Sequence, residues 1–173
     1  MSKIKLGMVG GGEGAFIGEV HRIAARMDER FHLCAGALCS DPERSHKSAL
    51  ELGLSEDRSY SHYKEMAISE SQRDDGINFV SIVTPNHLHH PIAKAFLEVG
   101  INVICDKPMT MNTEEAQELI DISESSELIF AVTYNYSGYP LIREAREIIK
   151  KGELGSIRTV SYTHLTLPTN GEV

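Results

Sequence analysis

The feature that most constrains this chain lies at its start. Residues 4–9 form a short apolar run that breaks into a glycine cluster, Gly10, Gly11, Gly12, Gly14 and Gly18. The residues that follow place Val20, Ile23, Ala24 and Met27 on one helical face. Glycines between a strand and a helix allow a tight turn, a close approach of backbone to ligand, and close packing of helix on strand. The helix start then offers free N–H groups and the positive end of its dipole, which suit phosphate oxygens. Two registers fit. Gly10-x-Gly12-x-x-Ala15 matches the G-x-G-x-x-G/A form directly, with Gly14, Phe16 and Ile17 completing the loop. Alternatively Gly18 is the third glycine and the loop carries extra residues.

The same rhythm continues along the chain. Strands are expected over 31–39, 77–84, 102–105 and 128–133, the run at 77–84 so evenly apolar that it reads as buried on both faces. Ser40, Asp41 and Pro42 read as a helix start. Further helical stripes are Ile92, Ala95, Phe96 and Val99; Ala116, Leu119 and Ile120 after a capping Asn112; and Leu141, Ala145, Ile148 and Ile149. Residues 54–76 are less patterned, with a short strand expected near Tyr60 and a helix over 63–68. Alternation of this kind implies an α/β fold of the Rossmann type: a doubly wound, mainly parallel sheet with helices on both faces.

The chain has 173 residues, enough for one sizeable core. A formal net charge of −8 disfavours both nucleic acid and anionic membranes as partners. No apolar run approaches the roughly 18 residues that span a bilayer, and the N-terminus carries no leader-like segment. Cys34, Cys39 and Cys105 have no zinc or C-x-x-C spacing. Reduced thiols and a cytoplasmic location are the expectation.

The end of the second strand is where an adenosine ribose is usually read. An acid there favours NAD, while a small residue with a nearby arginine admits the 2′-phosphate of NADP. Asp41 fits the first pattern, Ser40 with Arg44 the second, and Ser40 and Asp41 also serve as a helix cap. The cofactor is therefore NAD or NADP, with adenosyl-methionine an alternative user of such a glycine loop.

Two later strand ends carry Thr84-Pro85-Asn86-His87-Leu88-His89 and Cys105-Asp106-Lys107-Pro108. Together with the glycine loop and Gly18-x-x-His21, these motifs resemble the glucose–fructose oxidoreductase/inositol dehydrogenase family (Gfo/Idh/MocA), over roughly residues 3 to 160. The resemblance implies an NAD(P)-dependent oxidoreductase acting on a sugar, polyol or related hydroxyl compound. Independently, their place after a strand puts Thr84, Pro85 and Asn86 on the adenine and ribose side of the cofactor cleft, with His89 at the next helix start. The resemblance places Asp106, Lys107 and Pro108 beside the nicotinamide, with Lys107 as the catalytic residue. Asp106 stands where the family has glutamate, one methylene longer. Asn135 matches a segment that helps bind cofactor or substrate, although aromatic packing explains its surroundings equally well. His87, His89 and His90 have no acid or cysteine at ligand spacing, so no metal is expected.

Residues 153–160 resemble the family's crossing into a second domain, which supplies the substrate site and a proton-transferring histidine. The tail 161–169 departs from the family and reads as a non-native end. The expected organisation is a dinucleotide domain over 1–155, then the start of a further domain over 156–173. Such a piece would bind cofactor weakly and turn nothing over, and the full-length form would be a homo-oligomer. Competing readings are a non-catalytic dinucleotide-binding or sensing module and a methyltransferase.

Overall fold

The computed structural model describes residues 3–159; the tail from residue 160 onward lies outside the described residues. The strands are β1 (Ile4–Gly10), β2 (Phe31–Ala37), β3 (Phe79–Val83), β4 (Asn102–Cys105) and β5 (Phe130–Val132). They form one five-stranded sheet in the order β2-β1-β3-β4-β5, with every neighbouring pair parallel. The helices are α1 (Phe16–Met27), α2 (Pro42–Glu51), α3 (Tyr63–Ser71), α4 (His89–Leu97), α5 (Thr113–Ser125) and α6 (Pro140–Lys150). The chain steps from β1 to β2 in one direction, then returns past β1 to β3 and continues the other way. That reversal opens a crevice beyond the carboxyl ends of β1 and β3, where doubly wound sheets bind ligands.

Successive residues of a strand face opposite sides of the sheet. Gly7 faces Met66 of α3, and a Cβ built on it would lie 2.4 Å from the Met66 methyl. Met8 faces α1, its sulfur 3.7 Å from the Arg22 guanidinium. Helices therefore cover both faces, as the alternation implied. The larger core packs Val80, Ile82 and Val103 of the sheet against Met66 of α3, Ile92, Phe96 and Leu97 of α4 and Leu119 of α5. Each such side chain contributes about 1.5–3 kcal/mol by leaving water. A smaller cluster of Met8, Leu38, Ala49, Leu54 and Val83 holds α1 and α2 to the other face.

Two local expectations change. Val20, Ile23, Ala24 and Met27 do not face the sheet; Met27 is 81% exposed and Ile23 47%. The inward side of α1 carries Ile17, Gly18, His21 and Arg22 instead. Gly18 brings α1 so close to the glycine turn that only this small and polar side fits inward. Near Tyr60 there is no strand, only a single bridge between Ser59 and Gly36. Its neighbourhood is organised by charge: buried Arg58 pairs with buried Glu70, which also accepts hydrogen bonds from Tyr60 Oη at 2.8 Å and Ile77 N at 3.1 Å.

The chain divides into two compact units, Met1–Thr133 and Tyr134–Val173. The first unit closes just after β5, the last strand of the sheet. Within the second unit, α6 packs against the 3-10 turn Asn135–Gly138, and Tyr136 meets Tyr139 edge-on at 5.4 Å.

Candidate functional site

The glycine turn leaves β1 through Gly10 and Gly11, at φ of +79° and +76°, values that side chains rarely adopt. A Cβ on Gly18 would lie 2.3 Å from the Gly11 Cα. Gly18 is thus the glycine that seats helix on turn, which favours the longer register over the one ending at Ala15. A Cβ on Gly12 would lie 2.9 Å from both Leu38 O and Ser48 Oγ, so bare backbone lines the cradle there. Ser48 Oγ also accepts from Glu13 N at 3.0 Å, and Arg22 donates to Gly11 O at 2.6 Å. The side chains of Asp41, His62 and Asn112 cap α2, α3 and α5, whereas α1, like α4 and α6, has no side-chain cap. What sets α1 apart is that its uncapped start follows the glycine turn at the sheet crevice, an arrangement suited to phosphate.

A cleft of about 490 Å³ opens over this turn. Of the residues expected to bind cofactor, Gly10, Gly12, Ala15, Ser40, Arg44, Thr84 and Pro85 line it. Gly14 and Phe16 border a neighbouring hollow, and Phe16 is 78% exposed. Ile17 packs inward against the smaller core. The Asp41 carboxylate accepts from Arg44 N at 2.8 Å and so serves the helix cap. Ser40 and Arg44 of the same turn line the cleft, and Asp41 is not among its lining residues. Ser48, Ser61, His62 and Tyr63 also line it and were not expected from the sequence. They come from the weakly patterned stretch and the body of α2. Thr84 Oγ1 is buried at the edge of the cleft and is the one buried side-chain polar atom without a partner among the described residues.

At the end of β4, Lys107 is exposed, and its ammonium makes no ion pair or hydrogen bond among the described residues. Asp106 turns the other way. Its Oδ1 accepts from Thr133 Oγ1 at 2.7 Å and lies 3.8 Å from His21 Nε2, while His21 Nδ1 lies 2.8 Å from Ser81 Oγ. Burial opposes the charge on Asp106, but contacts with His21, Thr133 and the Lys107 N–H outweigh it and hold the carboxyl at about 2. Asp106 is therefore an anion at any physiological pH. Burial, with the Asp106 charge added, pushes the neighbouring Cys105 thiol up to about 12, so it is no nucleophile. Asn86 is exposed in the 3-10 turn Asn86–Leu88. His89 is fully buried, with its ring nitrogens 2.6 Å from Pro108 O and 3.0 Å from Thr84 O.

Residues 4–134 match the oxidoreductase family with an NAD-binding Rossmann fold, Gfo/Idh/MocA. This chain belongs to that family. It is 42% identical to the uncharacterized oxidoreductase YfiI of Bacillus subtilis (strain 168) over 164 residues, which cover 93% of this chain and 42% of that protein. It resembles the crystal structure of an oxidoreductase from Sinorhizobium meliloti with a TM-score of 0.86 and 52% identity, covering 91% of this chain and 44% of that one. An inositol dehydrogenase homolog from Azotobacter vinelandii, complexed with NADH and myo-inositol, also gives a TM-score of 0.86, at 43% identity over 91% of this chain and 41% of that one. The chain thus spans less than half the length of the relatives it matches.

The Gfo/Idh/MocA chain fits a dinucleotide on its own geometry. The cradle is one that a Cβ would fill, the α1 amides have no cap, and Thr84 Oγ1 lacks a partner beside the cleft. Asn135, the last expected contact, sits in the second unit, where its Oδ1 accepts from Tyr136 N at 3.0 Å. Among the described residues no three His, Cys, Asp or Glu side chains converge on a metal-sized space. No described helix is long and apolar enough to cross a membrane.

Proposed function

We propose that this chain holds NAD or NADP for a reaction in which a hydride passes to or from the hydroxyl-bearing carbon of a polyol or sugar, with Lys107 as its contribution to the chemistry. The uncapped glycine cradle at the sheet crevice carries this reading. The α1 amides would hold the pyrophosphate, and Ser40 and Arg44 would face the adenosine ribose. The bound nicotinamide supplies a hydride acceptor or donor. Lys107, at the end of β4, would meet the substrate oxygen with a cation that bears no other partner among the described residues. A cation fixed there lowers the cost of the negative charge that builds on the oxygen as its proton leaves. The kind of substrate follows the myo-inositol bound by the Azotobacter vinelandii relative.

The test is Lys107→Met in the full-length protein that carries this domain. Turnover with polyols and sugars is expected to fall about 10²–10³-fold, as for other groups that stabilise an oxyanion. Cofactor affinity should stay within about threefold, well below one tenfold step of 1.4 kcal/mol. Unchanged turnover would remove Lys107 from the mechanism. Cofactor choice is tested separately. Arg44→Ala should weaken NADP about tenfold, the scale of one charge-assisted bond to phosphate, and NAD far less. Equal losses for the two cofactors would show that Arg44 does not read the 2′-phosphate.

A further inference from the structure

His89 is out of a ligand's reach, yet it stands between the two motifs that flank the crevice. It is fully buried at the start of α4. Nδ1 lies 2.6 Å from the carbonyl of Pro108, in the Lys107 loop after β4. Nε2 lies 3.0 Å from the carbonyl of Thr84, in the cleft-lining loop after β3. No other side-chain hydrogen bond joins these two loops among the described residues. On its far side the same loop is anchored by Asp106 through Thr133. Lys107 lies between these two anchored neighbours, and its own side chain is free.

We propose that His89 is a positioning residue for Lys107: the ring ties the Asp106–Pro108 loop to the Thr84–Asn86 loop and so sets where the ammonium stands relative to the cleft. A ring with one N–H can donate to only one of these two carbonyls; the shorter contact assigns that N–H to Nδ1, donating to Pro108, and this contact alone touches the Lys107 loop. The catalytic consequence rests on the role proposed for Lys107 above; the tether itself does not.

Two conservative variants separate this role from simple filling of space. The asparagine amide nitrogen lies near the position of Nδ1, and the glutamine amide nitrogen near that of Nε2. His89→Asn therefore retains the donor to Pro108, and His89→Gln retains only the contact with Thr84. A residue that merely filled the core would be replaced better by the larger glutamine or by leucine. The first readout is amide hydrogen exchange in the unliganded chain. At residues 106, 107 and 109, exchange should quicken about tenfold or more in His89→Gln and His89→Leu, the scale of one lost buried hydrogen bond. It should change little in His89→Asn, and the amides of β1 should be unaffected in all three. The second readout is turnover against NAD⁺ affinity in the full-length protein that carries this domain. His89→Gln and His89→Leu should lower turnover about tenfold and leave NAD⁺ affinity within about threefold, as Lys107→Met does, while His89→Asn keeps both. If asparagine and glutamine rank equally, or glutamine ranks better, the proposal is overturned. Equal losses of turnover and NAD⁺ affinity also overturn it. If the unchanged protein binds neither NAD⁺ nor NADP⁺, the cofactor reading fails instead, and the exchange ranking alone decides the tether.

Discussion

Replacing Glu70 by glutamine is expected to lower the free energy of unfolding by about 3–5 kcal/mol, the cost of leaving a buried charge without its partner. Two oxygens of Glu70 accept from Arg58, from Tyr60 and from the Ile77 amide. Glutamine has one acceptor oxygen and turns an NH₂ group toward these donors. Burial works against the Arg58 cation, but the hydrogen bond and charge of Glu70 outweigh it and hold the guanidinium above its ordinary value. Without Glu70 the burial cost remains and the compensation goes. Burial, followed by the bond to Glu70, likewise raises the Tyr60 phenol above its usual range. In a chain of this size the midpoint of thermal unfolding should fall on the order of 10 °C. Urea unfolding followed by circular dichroism measures the same loss. The paired change Arg58→Met with Glu70→Leu should recover only part of it, since the unpaired buried charge goes but the Tyr60 hydroxyl and the Ile77 amide still lose their acceptor. If the single variant unfolds where the unchanged chain does, the network does not hold the 58–77 segment in place.

Gly18→Ala has the second large expected effect. The added Cβ would lie 2.3 Å from the Gly11 Cα and 2.7 Å from the Gly11 carbonyl oxygen. Both are backbone atoms and have no rotamer to escape into, so α1 must lift from the turn. Overpacking of this kind costs about 1–3 kcal/mol. The lifted helix also loosens the bond from Arg22 to Gly11 O and moves the amides meant for phosphate. Dinucleotide affinity should therefore fall about tenfold or more, at 1.4 kcal/mol for each tenfold step. Gly53→Ala is the control. Its φ is +75° with nothing within 4 Å of the new Cβ, so it adds backbone strain alone, roughly 1–2 kcal/mol, and leaves binding intact. Normal binding by Gly18→Ala in calorimetry would return the third glycine position to Ala15.

The legible parts of this fold are those that a single element displays by itself. The apolar run at 77–84 is a local signal, as are Gly53, Gly100 and Gly152, each at positive φ shortly after a helix, and the sheet and most helices follow them. The glycine loop is legible because its chemistry needs missing side chains rather than distant partners. What could not be read comes from pairings between elements. His21 meets Ser81 across sixty positions, and Asp106 finds Thr133 at the end of the next strand, so the shorter acid has partners that no motif displays. Periodicity selected the apolar side of α1, but Gly18 turned the opposite side inward. The cleft wall at Ser61, His62 and Tyr63 follows a stretch ordered by a buried ion pair, which has no hydrophobic period to detect. Asp41 satisfies two sequence rules at once, and the helix cap takes up one of its carboxylate oxygens.

The uncapped glycine crevice suits a nicotinamide dinucleotide, and isothermal titration calorimetry of this chain against NAD⁺, NADP⁺ and S-adenosyl-methionine distinguishes it from a crevice for another cofactor. Saturable binding at one site is expected for NAD⁺ or NADP⁺, detectable at ligand concentrations of about 1 mM, where even a weak site of about −4 kcal/mol fills to half. No comparable heat is expected from S-adenosyl-methionine. Binding of S-adenosyl-methionine in preference, or no binding of either dinucleotide by the folded chain, would show that the crevice serves something else.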